Sequence, residues 1–291
     1  MKTAWRYLRV VLILVLELVA VGLAAGYAAR PFAGASGLVA AIGGPVASVV
    51  AAVGVYLVLV RFVERRPATE LGLRHAIWEL PFGLLVGAML FTLTIGVIIL
   101  AGGYRILSAG SLWLLVPPLG MALVSGVVEE LMVRGILFRL LEDLIGSWGA
   151  LCFSAALFGL AHITNPHATW FGALAIAIEA GTLLGAAYMA TRRLWFAIGI
   201  HAAWNWTQGA VFGVAVSGHA MQGFLSSMPR GPEWLSGGDF GVEASVVAML
   251  ACGTAALLIL RAALKLRPVV APAWSPSRRA REGGVSYPTQ R

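Results

Sequence analysis

Six polar residues stand inside otherwise apolar stretches of this chain: Glu129, Glu130 and Arg134, then His162, then His201 and Asn205. Five are ionisable, and a charge near the middle of a bilayer costs at least ~2.5–3.5 kcal/mol on the most permissive insertion scales. Such a set needs a common purpose. Glutamate and histidine are residue types that take a proton from water. An imidazole and a carboxamide can donate to a developing oxyanion. Glu129, His162 and His201 also form a set that could hold a divalent metal such as zinc with one position open for water, so the cofactor stays an open question at this level.

Spacing sorts the six further. Glu130 and Arg134 stand at i and i+4, so they can pair on one helix face and keep each other's charge tolerable. Glu129 is turned about 100° from Glu130 and is left without a local partner, which suits a general base. His201 and Asn205 are also i and i+4, so their side chains point the same way.

The elements that must position them are membrane helices. Of 291 residues 59% are hydrophobic and 12% charged, and the mean hydropathy of +0.86 excludes a soluble domain. With ~20 apolar residues needed to cross ~30 Å of hydrocarbon, apolar runs at 7–29, 38–60, 81–102, 113–141, 149–164, 168–190, 194–214 and 242–266 predict an all-α, polytopic membrane bundle of about eight transmembrane helices. The first run is long, contains Glu17 and lacks a small-x-small cleavage site, so it reads as a retained helix. One transmembrane domain over 1–267 is expected, followed by a basic, Pro- and Ser-rich tail at 268–291 that is expected to be disordered.

With both termini cytoplasmic, all of the 21 Lys and Arg residues except Arg30, Arg105 and Arg230 fall on the inner side, the asymmetry of a multi-pass protein of the cell (inner) membrane. The net charge of +8 is thus a topology signal. No basic stretch is interleaved with aromatics, so no nucleic-acid partner is expected. The two cysteines, Cys152 and Cys252, show no paired spacing and read as small buried hydrophobes.

Convergence of the six follows from the hairpin between the fourth and fifth runs. Glu129 and His162 lie equally far from its midpoint, which puts them level with each other. His201 lies eight residues beyond Arg193, roughly 12 Å along a helix. A common depth in the cytoplasmic half, with a cavity opening to the cytoplasm, is the expectation.

Three motifs then come into view in order. Glu129-Glu130-Leu131-Met132-Val133-Arg134 fits EExxxR, Phe158-Gly159-Leu160-Ala161-His162 fits FxxxH, and His201-Ala202-Ala203-Trp204-Asn205 fits HxxxN. On these the chain resembles the CAAX protease and bacteriocin-processing (CPBP) family of intramembrane endopeptidases, also called the Abi or type II CAAX prenyl endopeptidase group. The resemblance covers roughly residues 110–210. It implies that Glu129 and His162 activate a water for attack on a peptide carbonyl, that His201 and Asn205 stabilise the oxyanion, and that Glu130 with Arg134 is a supporting ion pair. It implies as partners the lipid bilayer and a peptide or lipidated protein, CAAX-type prenylated or a leader peptide.

Rival classes fare less well against the residues. A site-2-type zinc protease needs HExxH, which none of the five histidines begins. The GxSG at Gly34–Gly37 places Ser36 in an outer loop, far from the histidines. An ion-coupled transporter using Glu129, Glu130 and Glu179 leaves the histidines unexplained and finds no internal repeat. A non-catalytic immunity or scaffold member of the same fold is the remaining alternative. Glu17 and Glu179 read as interhelical hydrogen-bonders or cavity-lining groups, and His75, His167 and His219 as surface residues.

Overall fold

A computed structural model describes residues 2–266, 268–276 and 278. Six of its helical runs are long and apolar enough to cross a membrane. One of these, Leu112–Thr164, holds two legs, because Gly146 takes a positive φ of 75° and breaks it. A shorter helix at 195–211 is largely buried. Eight rods result: α1 Lys2–Ala29, α2 Val39–Glu64, α3 Ala76–Leu100, α4 118–145, α5 147–161, α6 Trp170–Thr191, α7 195–211 and α8 Val246–Leu266. They match the eight apolar runs in order.

One element lay outside the all-α reading. Strands β1 Tyr104–Ala109 and β2 Leu225–Pro229 pair antiparallel, with an irregularity between Ile106 and Ser108. They tie the α3–α4 loop to the long α7–α8 loop at one end of the bundle. The basic segments gather at the other end. There Arg139 grips Glu64 through two bonds of 2.7 Å, Arg66 grips Glu70 through two of 2.9 Å, and Tyr56 donates to Glu70. Arg192 pairs with Glu142 and Arg193 with Glu79. These pairs join α2, α3, α4, α6 and the intervening loops, and burial raises the Arg66 guanidinium's need of its partners, whose carboxylates hold its proton more tightly than usual.

Lipid offers helices no hydrophobic drive toward each other, so close packing must supply the attraction. The short helix α7 shows how. A Cβ at Gly126 of α4 would lie 2.6 Å from the Ala202 methyl, and one at Gly199 of α7 would lie 2.6 Å from the Leu80 carbonyl of α3. Only glycine lets α7 sit this tightly between α3 and α4. The outward faces keep large apolar side chains exposed, among them Leu12, Val50, Leu93 and Leu257. Trp5, Trp78, Trp113 and Trp170 are exposed near helix ends, while Trp195 is half-buried and donates to Gly72 O at 3.1 Å.

Cys252 is buried; Cys152, expected to be buried, is exposed. It sits on an apolar helix, on the outer face that lipid covers in a membrane bundle. Of the tail, residues 268–276 run along the α4–α5 turn: Ser147 N donates to Val270 O at 2.9 Å and Ala273 N to Leu144 O at 3.0 Å. The bare backbone of Gly146 makes room, since a Cβ there would meet Val270 O at 2.7 Å. Residues 279–291 of the tail lie outside the described residues.

Candidate active site

The helices that carry the motifs are not regular where the motifs fall. Stretches of π geometry occupy Ser125–Glu129 and Leu131–Phe138 of α4, Ala177–Gly181 of α6 and Thr207–Val211 of α7. Such turns re-aim side chains and recur at functional sites. Here they bracket Glu129, Glu130 and Arg134 and flank the segments that face them.

At the centre lies a fully buried pair. Arg134 Nη1 donates to Glu130 Oε1 at 2.7 Å, and Arg134 Nη2 donates to the Ala180 and Gly181 carbonyls of α6, each at 3.2 Å. Its guanidinium also lies 4.8 Å from the centre of the Phe158 ring. The same Glu130 oxygen is 2.9 Å from His201 Nδ1. Glu130 therefore does more than neutralise Arg134. By accepting from Nδ1–H it fixes the ring of His201 and turns Nε2 toward Glu129, whose Oε2 lies 3.9 Å away.

Glu129 is the accessible member, its side chain 39% exposed against none for Glu130. His162 follows the last turn of α5, and its Nδ1 lies 2.7 Å from the Phe158 carbonyl. An Nδ1–H donating there leaves the Nε2 lone pair free. Phe158 stacks edge-on against both histidines, with ring centres 4.9 Å from His162 and 5.9 Å from His201. Asn205 Nδ2 donates one hydrogen to Ser125 Oγ at 2.9 Å, and that hydroxyl donates on to Met121 O at 3.0 Å. The second amide hydrogen remains for another acceptor.

Glu129, His162, His201 and Asn205 all line one cavity of about 240 Å³, together with Ser125 and Phe158. The structure thus brings four of the six motif residues to one space, with Glu130 and Arg134 packed behind His201. Among the described residues no three His, Cys, Asp or Glu side chains are grouped as the ligands of a metal ion would be. His201 Nδ1 is held by Glu130 and His162 Nδ1 by a carbonyl, the contacts that also orient metal-ligating histidines, so each Nε2 is left for a water or a metal ion.

The cavity wall extends beyond the motif helices. Val216, Ser217, His219 and Glu243, all from the α7–α8 loop, line the same cavity, and His219 is exposed. That loop lies at the end of the bundle remote from the basic segments, so the cavity reaches that end. Counting residues from the hairpin midpoint puts Glu129 level with His162, and both line the cavity, yet it could not see that α5 ends at His162 and hands the wall over to a loop.

Residues not singled out from the sequence also shape the site. Ser125 stands four before Glu129 on α4. Asn165, three after His162, donates to Ser217 O at 3.0 Å. Glu243 accepts from Gln208 and from the Ser217 backbone N–H, which pins the Val216–His219 turn against the cavity. Burial pushes the Glu243 carboxyl up to about 7, against the pull of these donors. The i−4 and i+3 spacings were signals available for Ser125 and Asn165; nothing in the sequence marked Glu243. His219, read as a surface residue, is exposed but stands at the mouth.

Comparison with known families now bears on this geometry. Residues 111–207 match the family model described as Rce1-like, type II CAAX prenyl endopeptidase Rce1-like. Over this segment the chain is similar to that family. The matched segment covers about a third of the chain and contains all six motif residues, in agreement with the resemblance read from the motifs. It supports, in general terms, a CAAX-type protease embedded in a membrane by several helices. No curated protein and no solved structure matches the chain.

Arg134→Met leaves the Glu130 charge buried without its cation, which should cost about 3–5 kcal/mol. Thermal unfolding in detergent is expected to show a clear loss, partly recovered in the double variant Arg134→Met, Glu130→Gln. An Arg134→Met protein as stable as the parent would contradict a buried charge pair.

Proposed function

We propose that this protein is an intramembrane endopeptidase in which side chains activate water for attack on a peptide bond. The observation that carries the reading is the meeting of Glu129, His162, His201 and Asn205 on one cavity, with His201 fixed from behind by Glu130 and Arg134. A water between Glu129 and His162 gives a proton to the Glu129 carboxylate while His162 Nε2 orients it. Its oxygen bonds to the carbonyl carbon, and the carbonyl π pair moves onto oxygen. Asn205 Nδ2–H and the Nε2–H of a His201 imidazolium, whose Nδ1–H is held by Glu130, donate to that oxyanion. When the C–N bond breaks, the proton on Glu129 passes to the leaving amine, and the carboxylate is restored. Glu130 and Arg134 act on the reaction only through His201.

The family description and the lipid-facing helices support a substrate presented at the membrane, near a membrane-associated end of a peptide. We place the protein in the cell (inner) membrane with both termini cytoplasmic, on the distribution of Lys and Arg. In that orientation the mouth beside His219 faces away from the cytoplasm. A leader peptide or a membrane-protein segment reaching the outer side meets this geometry; a cytoplasmic prenylated protein would need the opposite orientation.

Purified protein and a Glu129→Ala variant, offered leader-type and prenylated CAAX peptides in detergent, should differ by at least ~10²-fold in hydrolysis rate. Equal rates would remove Glu129 from the chemistry. For orientation, a reporter fused after Arg193 should read out as cytoplasmic, and an outside signal would invert the assignment.

A further inference from the structure

Part of the cavity wall takes no part in the proposed reaction. Glu179 of α6 and Glu243 of the α7–α8 loop line it, with exposures of only 4% and 3%. Both carboxyls line the same cavity. Glu243 is occupied by Gln208 and the Ser217 N–H. Glu179 is not: among the described residues the hydrogen-bonding neighbour of its carboxyl is the Cys252 thiol, a weak donor. A buried carboxyl that faces a cavity with so little to satisfy it is costly unless a ligand completes it.

The rest of the wall says what that ligand must be. Glu129, Glu179 and Glu243 give the cavity three carboxyls, and no Lys or Arg side chain lines it among the described residues. Low-dielectric walls concentrate the field of such groups. Ile176, Leu183, Leu184, Ile200 and Trp204 form the apolar part. A long apolar stem ending in a cation fits both features, because it covers the aliphatic wall and brings donors to the acids.

We infer that Glu179 and Glu243 form a cation-selecting subsite, so that the substrate places a Lys or Arg side chain in the cavity beside the bond to be cut. This rests on the protease reading given above. It makes Glu179 a determinant of specificity, distinct from the groups that act on the carbonyl.

The test uses the full-length protein and a series of lipid-tailed peptides, identical except that each position in turn carries Lys, norleucine or Glu. At one position, Lys is expected to raise kcat/KM by about tenfold or more over norleucine, with Glu poorer still. In Glu179→Gln that Lys-to-norleucine ratio should collapse toward one. Should that variant fail to fold, the parent series alone decides. Cleavage with no preference for Lys at any position overturns the subsite and leaves the protease reading intact, as does a preference that survives in folded Glu179→Gln. Failure of the folded parent to cut any peptide overturns the protease reading and the subsite with it.

Discussion

A single carboxylate, Glu130, holds the arrangement together. It is fully buried at membrane depth, where a lone charge is costly, and one of its oxygens takes a guanidinium from its own helix and an imidazole from α7. That sharing ties charge neutralisation to geometry. Arg134 anchors on the α6 backbone, so Glu130 has a fixed place between α4, α6 and α7. His201 inherits that place, and with it the direction of Nε2 toward Glu129. If the pair were missing, His201 would have neither its tautomer nor its aim set.

The pair can exist because the helices come close enough. Gly126 lets α4 meet Ala202 of α7, and Gly199 lets α7 meet Leu80 of α3, so backbone packing replaces the hydrophobic drive that lipid cannot provide. The π turns of α4 give up regularity in the segment that must present Glu129 to a cavity and Glu130 to the protein interior. At the basic end, the pairs Glu64–Arg139, Glu70–Arg66 and Glu142–Arg192 fix the helix ends against which this irregularity is tolerated. At the opposite end, the β1–β2 ribbon and Glu243 draw the α7–α8 loop into the cavity wall.

What could be read from the sequence was what local spacing encodes. Eight apolar runs gave eight helices, and the i,i+4 rule gave the Glu130–Arg134 pair. The order of the three motifs agreed with the family match over 111–207. What could not be read depended on contacts between distant segments. The link from Glu130 to His201 spans 71 residues, and nothing local distinguishes it from a supporting ion pair. The loop that completes the cavity wall is invisible to residue counting, which treats helices as straight rods. The loop residues Ser217 and Glu243 are placed by bonds to Asn165 and Gln208, and His219 by its backbone bonds to Val216, none of which any periodicity signals. The strand pairing arises across more than a hundred residues of intervening helix.

The central claim is that Glu130 sets the chemistry by orienting His201. The most direct test is the turnover of Glu130→Gln in protein shown to be folded by its circular dichroism and elution profile. A neutral amide keeps the shape but loses the charge that holds Nδ1–H, so kcat is expected to fall by about 10²-fold or more with KM little changed. Folded Glu130→Gln turning over at the parental rate would contradict the account.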